Sequence, residues 1–190
     1  LSNISGSSIG STYLCNIPGT TQLGNGTNSS PEFDVKDTVL ICRNKQFTLP
    51  FSAKDPDGDS LSYSFCDAYA SPGVGGNNNL PPAAPPYTTL NYQSPYGGNI
   101  PLGSNVSISA RAGLISGRAP AGNINPGGAS YFNVSVCITE WRNGIEISQH
   151  RKDFTVKISD CDFADAELPL DNRTCDGFSY TFQNLVTSNQ

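Results

Sequence analysis

The chain has 190 residues, a formal net charge of −5, and charged side chains at only 14% of its positions. This acidic balance, with lysine and arginine forming no patch, argues against a nucleic-acid phosphate backbone as the partner. No apolar run reaches the roughly 18 residues that a transmembrane helix needs. Methionine is absent and no signal peptide opens the chain, so any targeting signal is expected to lie outside it.

Short alternating apolar stretches, each closed by turn residues, predict β-strands in the first half of the chain. Residues 38–42 form the first strand, and residues 47–53 and 61–66 form two more on either side of an acidic turn. This strand–turn–strand pattern is typical of an antiparallel sheet. Residues 67–100 then break the pattern with paired prolines, glycines and asparagines. We expect this segment, which we call the excursion, to be a long surface loop rather than a central strand.

The second half of the chain contains the strongest strand signal. Four stretches share the alternating pattern: residues 106–109, 114–117, 131–140 and 153–158. Asn143-Gly144 follows the longest of them and predicts a hairpin with a type I′ turn, after which residues 145–147 begin the return strand. About seven strands between residues 31 and 161 therefore predict an all-β, Ig-like antiparallel β-sandwich.

The two ends of the chain do not fit this sandwich. Residues 1–30 and 162–190 contain strand-like pieces, but neither end is long enough to bury a core alone. An open strand edge is readily completed by a strand from elsewhere. We therefore expect both ends to be parts of neighbouring modules, or strands that pair with another copy of the chain.

The chain has six cysteines and a single histidine, which decide between a metal site and disulfides. No two cysteines have CxxC spacing, so a zinc site is not expected. An even number of cysteines in a chain rich in serine, threonine and asparagine indicates disulfides and an oxidising compartment. We therefore expect an extracellular or cell-surface location. The cysteines are Cys15, Cys42, Cys66, Cys137, Cys161 and Cys175.

The acidic turn is the candidate metal site. Asp55, Asp57 and Asp59 alternate around a proline and a glycine, and three carboxylates that converge on one point repel each other unless a cation lies between them. Calcium is the cation that prefers several hard oxygen ligands. Glu140 ends a strand that is expected to return to the same end of the sandwich. The alternative is a solvated turn, because aspartate side chains bond to nearby backbone N–H groups.

A catalytic site is not expected. A Ser-His-Asp or Cys-His arrangement would need His150, but the sequence has no nucleophile elbow, and Arg151 and Lys152 flank the ring. Trp141 lies beside the hairpin turn and Tyr96 lies in the excursion, where aromatic rings can stack on sugars. The alternative is that both rings cover the end of the sandwich.

Four short motifs follow one another along the chain. They are Asn28-Ser29-Ser30-Pro31-Glu32-Phe33, Ala53-Lys54-Asp55-Pro56-Asp57-Gly58-Asp59-Ser60-Leu61, Ala112-Gly113-Leu114-Ile115-Ser116-Gly117 and His150-Arg151-Lys152-Asp153-Phe154. Their order resembles cadherin-like modules, in particular those of large gliding-motility proteins and adhesins of gliding bacteria. The resemblance implies a cadherin-like sandwich at residues 31–161, an upstream segment with a linker at residues 1–30, and the start of a following module at residues 162–190.

The resemblance also implies specific site residues. A calcium ion would be held by Asp55, Asp57, Asp59 and Glu140 together with Asn28 of the linker. The linker carries fewer acidic residues than a calcium-loaded cadherin linker, which implies weaker binding.

The implied disulfides are Cys66–Cys137 and Cys42–Cys161, with Cys15 and Cys175 left to join the flanking segments. Asp37-Thr38-Val39 and Asp59-Ser60-Leu61 resemble a bacterial O-glycosylation acceptor, which makes Thr38 and Ser60 candidate glycosylation sites.

These observations lead to one functional expectation with one alternative. We expect a non-catalytic structural or adhesive module of an extracellular bacterial surface protein, stacked in a stalk or filament with neighbouring modules or with copies of itself. The alternative is a carbohydrate-binding module that uses the excursion and Trp141 on a surface polysaccharide.

Overall fold

The computed structural model describes residues 1–6, 11–24, 26–33, 38–71, 84–122 and 128–161. The described residues contain strands, turns and loops but no helix, so the predicted all-β fold class is confirmed. It follows that none of them belongs to a helix long and apolar enough to cross a membrane. The chain divides into the units Leu1–Asp160 and Cys161–Gln190. The strand pieces predicted within residues 162–190 lie outside the described residues.

Strands occur where the sequence alternates and is rich in β-branched and aromatic residues. Those of the described residues are β1 (Ser11–Thr12), β2 (Glu32–Phe33), β3 (Thr38–Cys42), β4 (Gln46–Pro50), β5 (Ala53–Lys54), β6 (Ser60–Phe65), β7 (Tyr69–Ala70), β8 (Val106–Ile108), β9 (Leu114–Arg118), β10 (Ala129–Arg142) and β11 (Ile145–Ser159). Seven of them, β3, β4, β6, β8, β9, β10 and β11, coincide with the predicted strands and build the two main sheets.

The larger sheet has four strands in the order β3-β11-β10-β6. Its centre is the long antiparallel hairpin of β10 and β11. Asn143 and Gly144 turn this hairpin with φ angles of 53° and 77°, the left-handed values that a type I′ turn requires. The predicted hairpin is therefore confirmed. β6 runs antiparallel to β10, whereas β3 runs parallel to β11 at the edge of the sheet.

The smaller sheet has three strands in the order β4-β9-β8, and the core lies between the two sheets. Alternate residues of β10, among them Phe132 and Val136, are fully buried in the same cluster as Ile115 of β9. Phe51 is also fully buried, and its ring stacks on that of Phe154 with the centroids 5.2 Å apart. Each side chain of this size contributes about 1.5–3 kcal/mol when it is removed from water.

The acidic turn connects the two main sheets, which differs from the sequence-based expectation. The apolar stretches on either side of it do not pair with each other: β4 pairs with β9, β5 pairs with β2, and β6 pairs with β10. Alternation marks a strand with one buried face, but it does not identify the partner of that strand. The turn consequently lies at one end of the sandwich, beside the end of β10. We call this end the acidic pole.

Residues 1–6 belong to the same compact unit as the sandwich. Asn3 is fully buried, and its side-chain amide bonds to the main chain of Asn133 in β10. Ile4 packs with Ala68 and Leu90 of the excursion in a second, smaller apolar cluster. The excursion is therefore a covering layer in part, and not only a surface loop. β1 pairs with β7 of the excursion.

Candidate functional site

Three aspartates converge in the acidic turn, as the sequence predicted. Asp55 follows β5, and its Oδ1 accepts hydrogen bonds from the backbone N–H groups of Asp57 at 2.9 Å and of Asp59 at 3.0 Å. Gly58 has a φ of 81°, which folds the turn tightly around that carboxylate. One oxygen from each of the three side chains lies within 4.8 Å of the others. This convergence leaves three negative charges that a nearby cation would stabilise.

The nearest cation is Arg142, the last residue of β10, which the sequence analysis did not consider. Its Nε donates to Asp59 Oδ1 at 2.8 Å and its Nη2 donates to Asp59 Oδ2 at 2.6 Å. The same Nη2 lies 4.0 Å from Asp57 Oδ2. The hydrogen bond to Asp59 raises the pKa of the Arg142 guanidinium most, desolvation partly opposes it, and the charges of the three aspartates raise the pKa further. The paired, parallel contacts with Asp59 are the geometry in which arginine binds carboxylate most strongly.

Strand register explains why Arg142 lies here. Trp141 of β10 is opposite Ser60 of β6, so Arg142 comes opposite Asp59, which directly precedes β6. Opposite charges at facing positions of an antiparallel pair stabilise the sheet. The sequence contained this signal, because Arg142 immediately precedes the predicted hairpin turn. Finding it required knowledge of which strand lies beside β10.

The linker before β2 is attached to the same cluster. The Nη1 of Arg142 donates to the carbonyl oxygen of Thr27 at 3.0 Å, and its Nη2 donates to Asn28 Oδ1 at 3.1 Å. The backbone N–H of Ser29 donates to Asp57 Oδ2 at 2.5 Å. Arg142 and Asp57 thus hold three consecutive linker residues on the acidic pole. Asn28 was expected at this pole as a ligand of a calcium ion, whereas Thr27 and Ser29 were not expected to contact it.

Glu140 is fully buried because it continues the inward-facing series of β10 that includes Phe132. Its Oε2 accepts a hydrogen bond from Asn28 Nδ2 at 2.8 Å, and its Oε1 lies 3.1 Å from His150 Nε2. Among the described residues, the converging carboxylates are the three aspartates, and Glu140 is not one of them. Glu140 is therefore bonded directly to Asn28, with which it was expected to share a calcium ion, and it lies outside the group of converging aspartates.

His150 connects Glu140 to a cysteine. The Sγ of Cys15 lies 3.3 Å from His150 Nδ1, and Ser148 Oγ lies 2.8 Å from His150 Nε2. A thiol, an imidazole and a carboxylate in line have the order of a cysteine hydrolase site. Here, however, burial and then the charge of Glu140 raise the pKa of the Cys15 thiol. The thiolate is the reactive form of cysteine, and both effects favour the protonated thiol instead.

The oxygens of the acidic pole do not fit calcium while Arg142 is in place. Calcium takes about six to eight oxygen ligands. Both oxygens of Asp59 and the Oδ1 of Asn28 already accept hydrogen bonds from Arg142, and Asp57 Oδ2 accepts one from the linker backbone. The Oδ2 of Asp55 is buried without a hydrogen-bond partner. One orphaned carboxylate oxygen is far short of the ligand set that the resemblance implied.

The cysteines of the described residues are of two kinds. Cys66 and Cys137 are joined by a disulfide whose Cα atoms are 5.8 Å apart, between the neighbouring strands β6 and β10. Cys42 and Cys161 are both disulfide-bonded, as the pairing implied by the resemblance requires. Cys15 is a free, exposed cysteine, and Cys175, with which it was expected to join the flanking segments, lies outside the described residues. Cys15 lies against His150 of β11.

The predicted aromatic ligands Trp141 and Tyr96 are not brought to one site. Trp141 Nε1 donates to Ser62 Oγ at 2.8 Å on the neighbouring strand. The Tyr96 ring packs edge-on against Phe132 of the core, and it lines a cavity of about 580 Å³ with Pro95 and other residues that do not include Trp141. Tyr96 thus packs on the core, whereas Trp141 is bonded to a neighbouring strand. The candidate glycosylation residues Thr38 and Ser60 are both exposed, each at the start of a strand.

The fold assignment rests on the observed strands and not on comparisons with known proteins. No protein-family model and no curated protein matches the chain. A solved structure that is similar is the extracellular domain of protocadherin GammaB4, with 17% sequence identity and a TM-score of 0.38. The match covers 78% of this chain and 20% of that one, so the chain spans about a fifth of the length of the structure it matches.

Proposed function

We propose that the chain is a non-catalytic structural module of an extracellular bacterial surface protein, stacked in a stalk or filament with neighbouring modules or copies of itself. The observation that carries this proposal is the attachment of the linker. Thr27, Asn28 and Ser29 are each bonded to the acidic pole immediately before β2. A chain segment fixed in this way enters the sandwich in one direction. Modules stacked in a stalk need a linker with such a fixed orientation.

The disulfides support an extracellular location. The Cys66–Cys137 bond lies between two strands of the main sheet, and Cys42 and Cys161 are also oxidised. Disulfides of this structural kind persist in oxidising compartments and are rare where thiols are kept reduced.

The exposed apolar side chains support a contact with a neighbour. Leu1, Tyr13 and Ile17 are 61%, 74% and 88% exposed, and all three lie in the first seventeen residues of the chain. Large apolar side chains concentrated in one segment favour contact with another protein surface. In this proposal the partner is the preceding module or a second copy of the chain.

A bead-aggregation assay with the full chain tests the proposed function. Beads coated with the 190-residue chain are expected to aggregate, and the soluble chain is expected to self-associate in sedimentation velocity. Substitution of Tyr13 and Ile17 by serine should weaken both, because it removes exposed apolar area. As a matched control, serine at the exposed Leu40 of β3 removes similar apolar area outside this segment.

A glycan array run on the same protein tests the alternative function. Saturable sugar binding that is lost in the Tyr96→Ala variant would overturn the structural proposal in favour of a carbohydrate-binding module. Beads that stay dispersed, with a soluble chain that is monomeric at every concentration, would rule out stacking on copies of the chain and leave the preceding module as the partner.

A further inference from the structure

We propose that the guanidinium of Arg142 is the resident cation of the acidic pole, so that the linker is held to the sandwich without a divalent metal ion. This inference goes beyond the proposed function, because it rests on the geometry of the pole alone. It applies whether or not the chain stacks on a neighbour.

The contacts of Arg142 are those of a central cation. The side chain donates four hydrogen bonds of 2.6–3.1 Å to four oxygens: both carboxylate oxygens of Asp59, the carbonyl oxygen of Thr27 and the Oδ1 of Asn28. These acceptors come from the turn before β6 and from the linker, which are separate parts of the chain. One planar group therefore joins them as a shared metal ion would, with a fork of donors that has fixed geometry.

The arrangement excludes calcium by competition. Arg142 already binds both carboxylate oxygens of Asp59 and the Oδ1 of Asn28, and Asp59 has only 5% of its side chain exposed. An ion among the aspartates would displace the guanidinium or lie beside a second positive charge at close range, which is unfavourable. To use Asp59 or Asn28 as ligands, calcium would have to break the hydrogen bonds that Arg142 makes with them.

The closure of the turn around Asp55 is also independent of an ion. Its Oδ1 is satisfied by two backbone N–H groups of the turn itself. The turn therefore keeps its shape through local hydrogen bonds, and Arg142 supplies the countercharge from the neighbouring strand. Neither contribution is removed by a chelator.

Thermal melting of the full chain in excess calcium and in excess chelator tests this inference. The wild-type melting temperature is expected to be the same in both. The Arg142→Gln variant should melt several degrees lower in chelator, and calcium should raise its melting temperature because the aspartates have lost their countercharge. Arg142→Lys, which keeps the charge but not the paired contacts with Asp59, should fall between the two.

Arg43→Gln is the matched control, because Arg43 forms a comparable ion pair with Asp160 away from the pole. This variant should not acquire a calcium response. If calcium raises the melting temperature of the wild-type chain and binds it stoichiometrically in calorimetry, the inference is wrong. It is equally wrong if Arg142→Gln melts at the wild-type temperature. Should Arg142→Gln not fold, the wild-type comparison and Arg142→Lys still decide the question.

Discussion

Replacement of Asn3 by alanine should destabilise the whole sandwich, although Asn3 lies almost at the start of the chain. Asn3 is fully buried, and its Nδ2 donates to the carbonyl oxygens of Pro101 at 3.0 Å and Asn133 at 2.7 Å. Its Oδ1 accepts the backbone N–H of Asn133 at 2.9 Å. Alanine would leave these three backbone groups without a partner.

The expected loss follows from the number of orphaned groups. A buried polar group that loses its partner costs about 1–3 kcal/mol, and water reaching the vacated space keeps each cost near the lower limit. Three groups therefore give about 3 kcal/mol. For a unit of this size, 1 kcal/mol lowers the melting temperature by about 2–4 °C, so the variant should melt about 6–12 °C below the wild type.

Differential scanning calorimetry of the full chain measures this shift. The matched control is Asn91→Ala, because Asn91 is exposed and its side chain can be truncated at little cost. Deletion of residues 1–6 should cost at least as much as Asn3→Ala, since it also removes Ile4 from the second apolar cluster. If Asn3→Ala melts within about 2 °C of the control, residues 1–6 do not stabilise the sandwich and the calculation fails.

Three further predictions concern the disulfide, the pH dependence and a strand glycine. Replacing Cys66 and Cys137 by alanine should lower the free energy of unfolding in urea by about 4 kcal/mol, because the bond closes a loop with a sequence separation of 71. A loss below about 1 kcal/mol would contradict this. Burial raises the pKa of Asp153, so the folded state binds its proton more tightly and the carboxylate costs stability as pH rises through that raised value. Asp153→Asn should therefore gain stability relative to the wild type between about pH 4 and 7, and a constant difference across this range would refute the prediction. Gly117→Ala would place a Cβ 2.1 Å from a main-chain oxygen at a φ of 147° and should cost about 1–3 kcal/mol of stability. Gly19→Ala, whose Cβ would meet no atom within 4 Å, should be neutral. Equal melting temperatures of the two variants would show that the neighbouring strand moves aside at no cost.

The strands were predictable because their signal is local. Alternation placed β3, β10 and β9 at nearly their observed positions, and Asn143-Gly144 identified the central hairpin before any tertiary information. Each of these features depends on residues that are neighbours in sequence. The convergence of three aspartates in one turn is local in the same sense.

The excursion was harder to predict because its order depends on distant contacts. Leu90 and Ala68 are buried against Ile4, which lies far away in sequence. Residues rich in proline and glycine give no periodic pattern, so nothing local distinguishes a covering layer from a solvated loop. The packing of residues 1–6 on β10 was missed for the same reason.

The full set of residues at the acidic pole could not be predicted, because it depends on which strands pair. The aspartates were found from their spacing, but their cation was expected to come from solvent. Arg142 faces Asp59 only because β10 lies beside β6 in the observed register, and a shift of one residue would turn the guanidinium to the other face. Glu140 and Asn28 were expected to share an ion, whereas the contact between their side chains and the burial of Glu140 beside His150 follow from the same register.

The parallel pairing of β3 and β11 has a mechanical consequence. β3 enters the larger sheet early in the chain and β11 leaves it last, and five residue pairs from Thr38–Thr155 to Cys42–Ser159 join them. A tension that pulls residue 38 and residue 159 apart acts along these two strands in opposite directions. The backbone hydrogen bonds between them are then loaded together in shear, instead of opening one after another as in a zipper. Rupture under load accordingly requires the whole ladder to fail at once, so this edge resists stretching more than the same number of bonds in a peeled hairpin would.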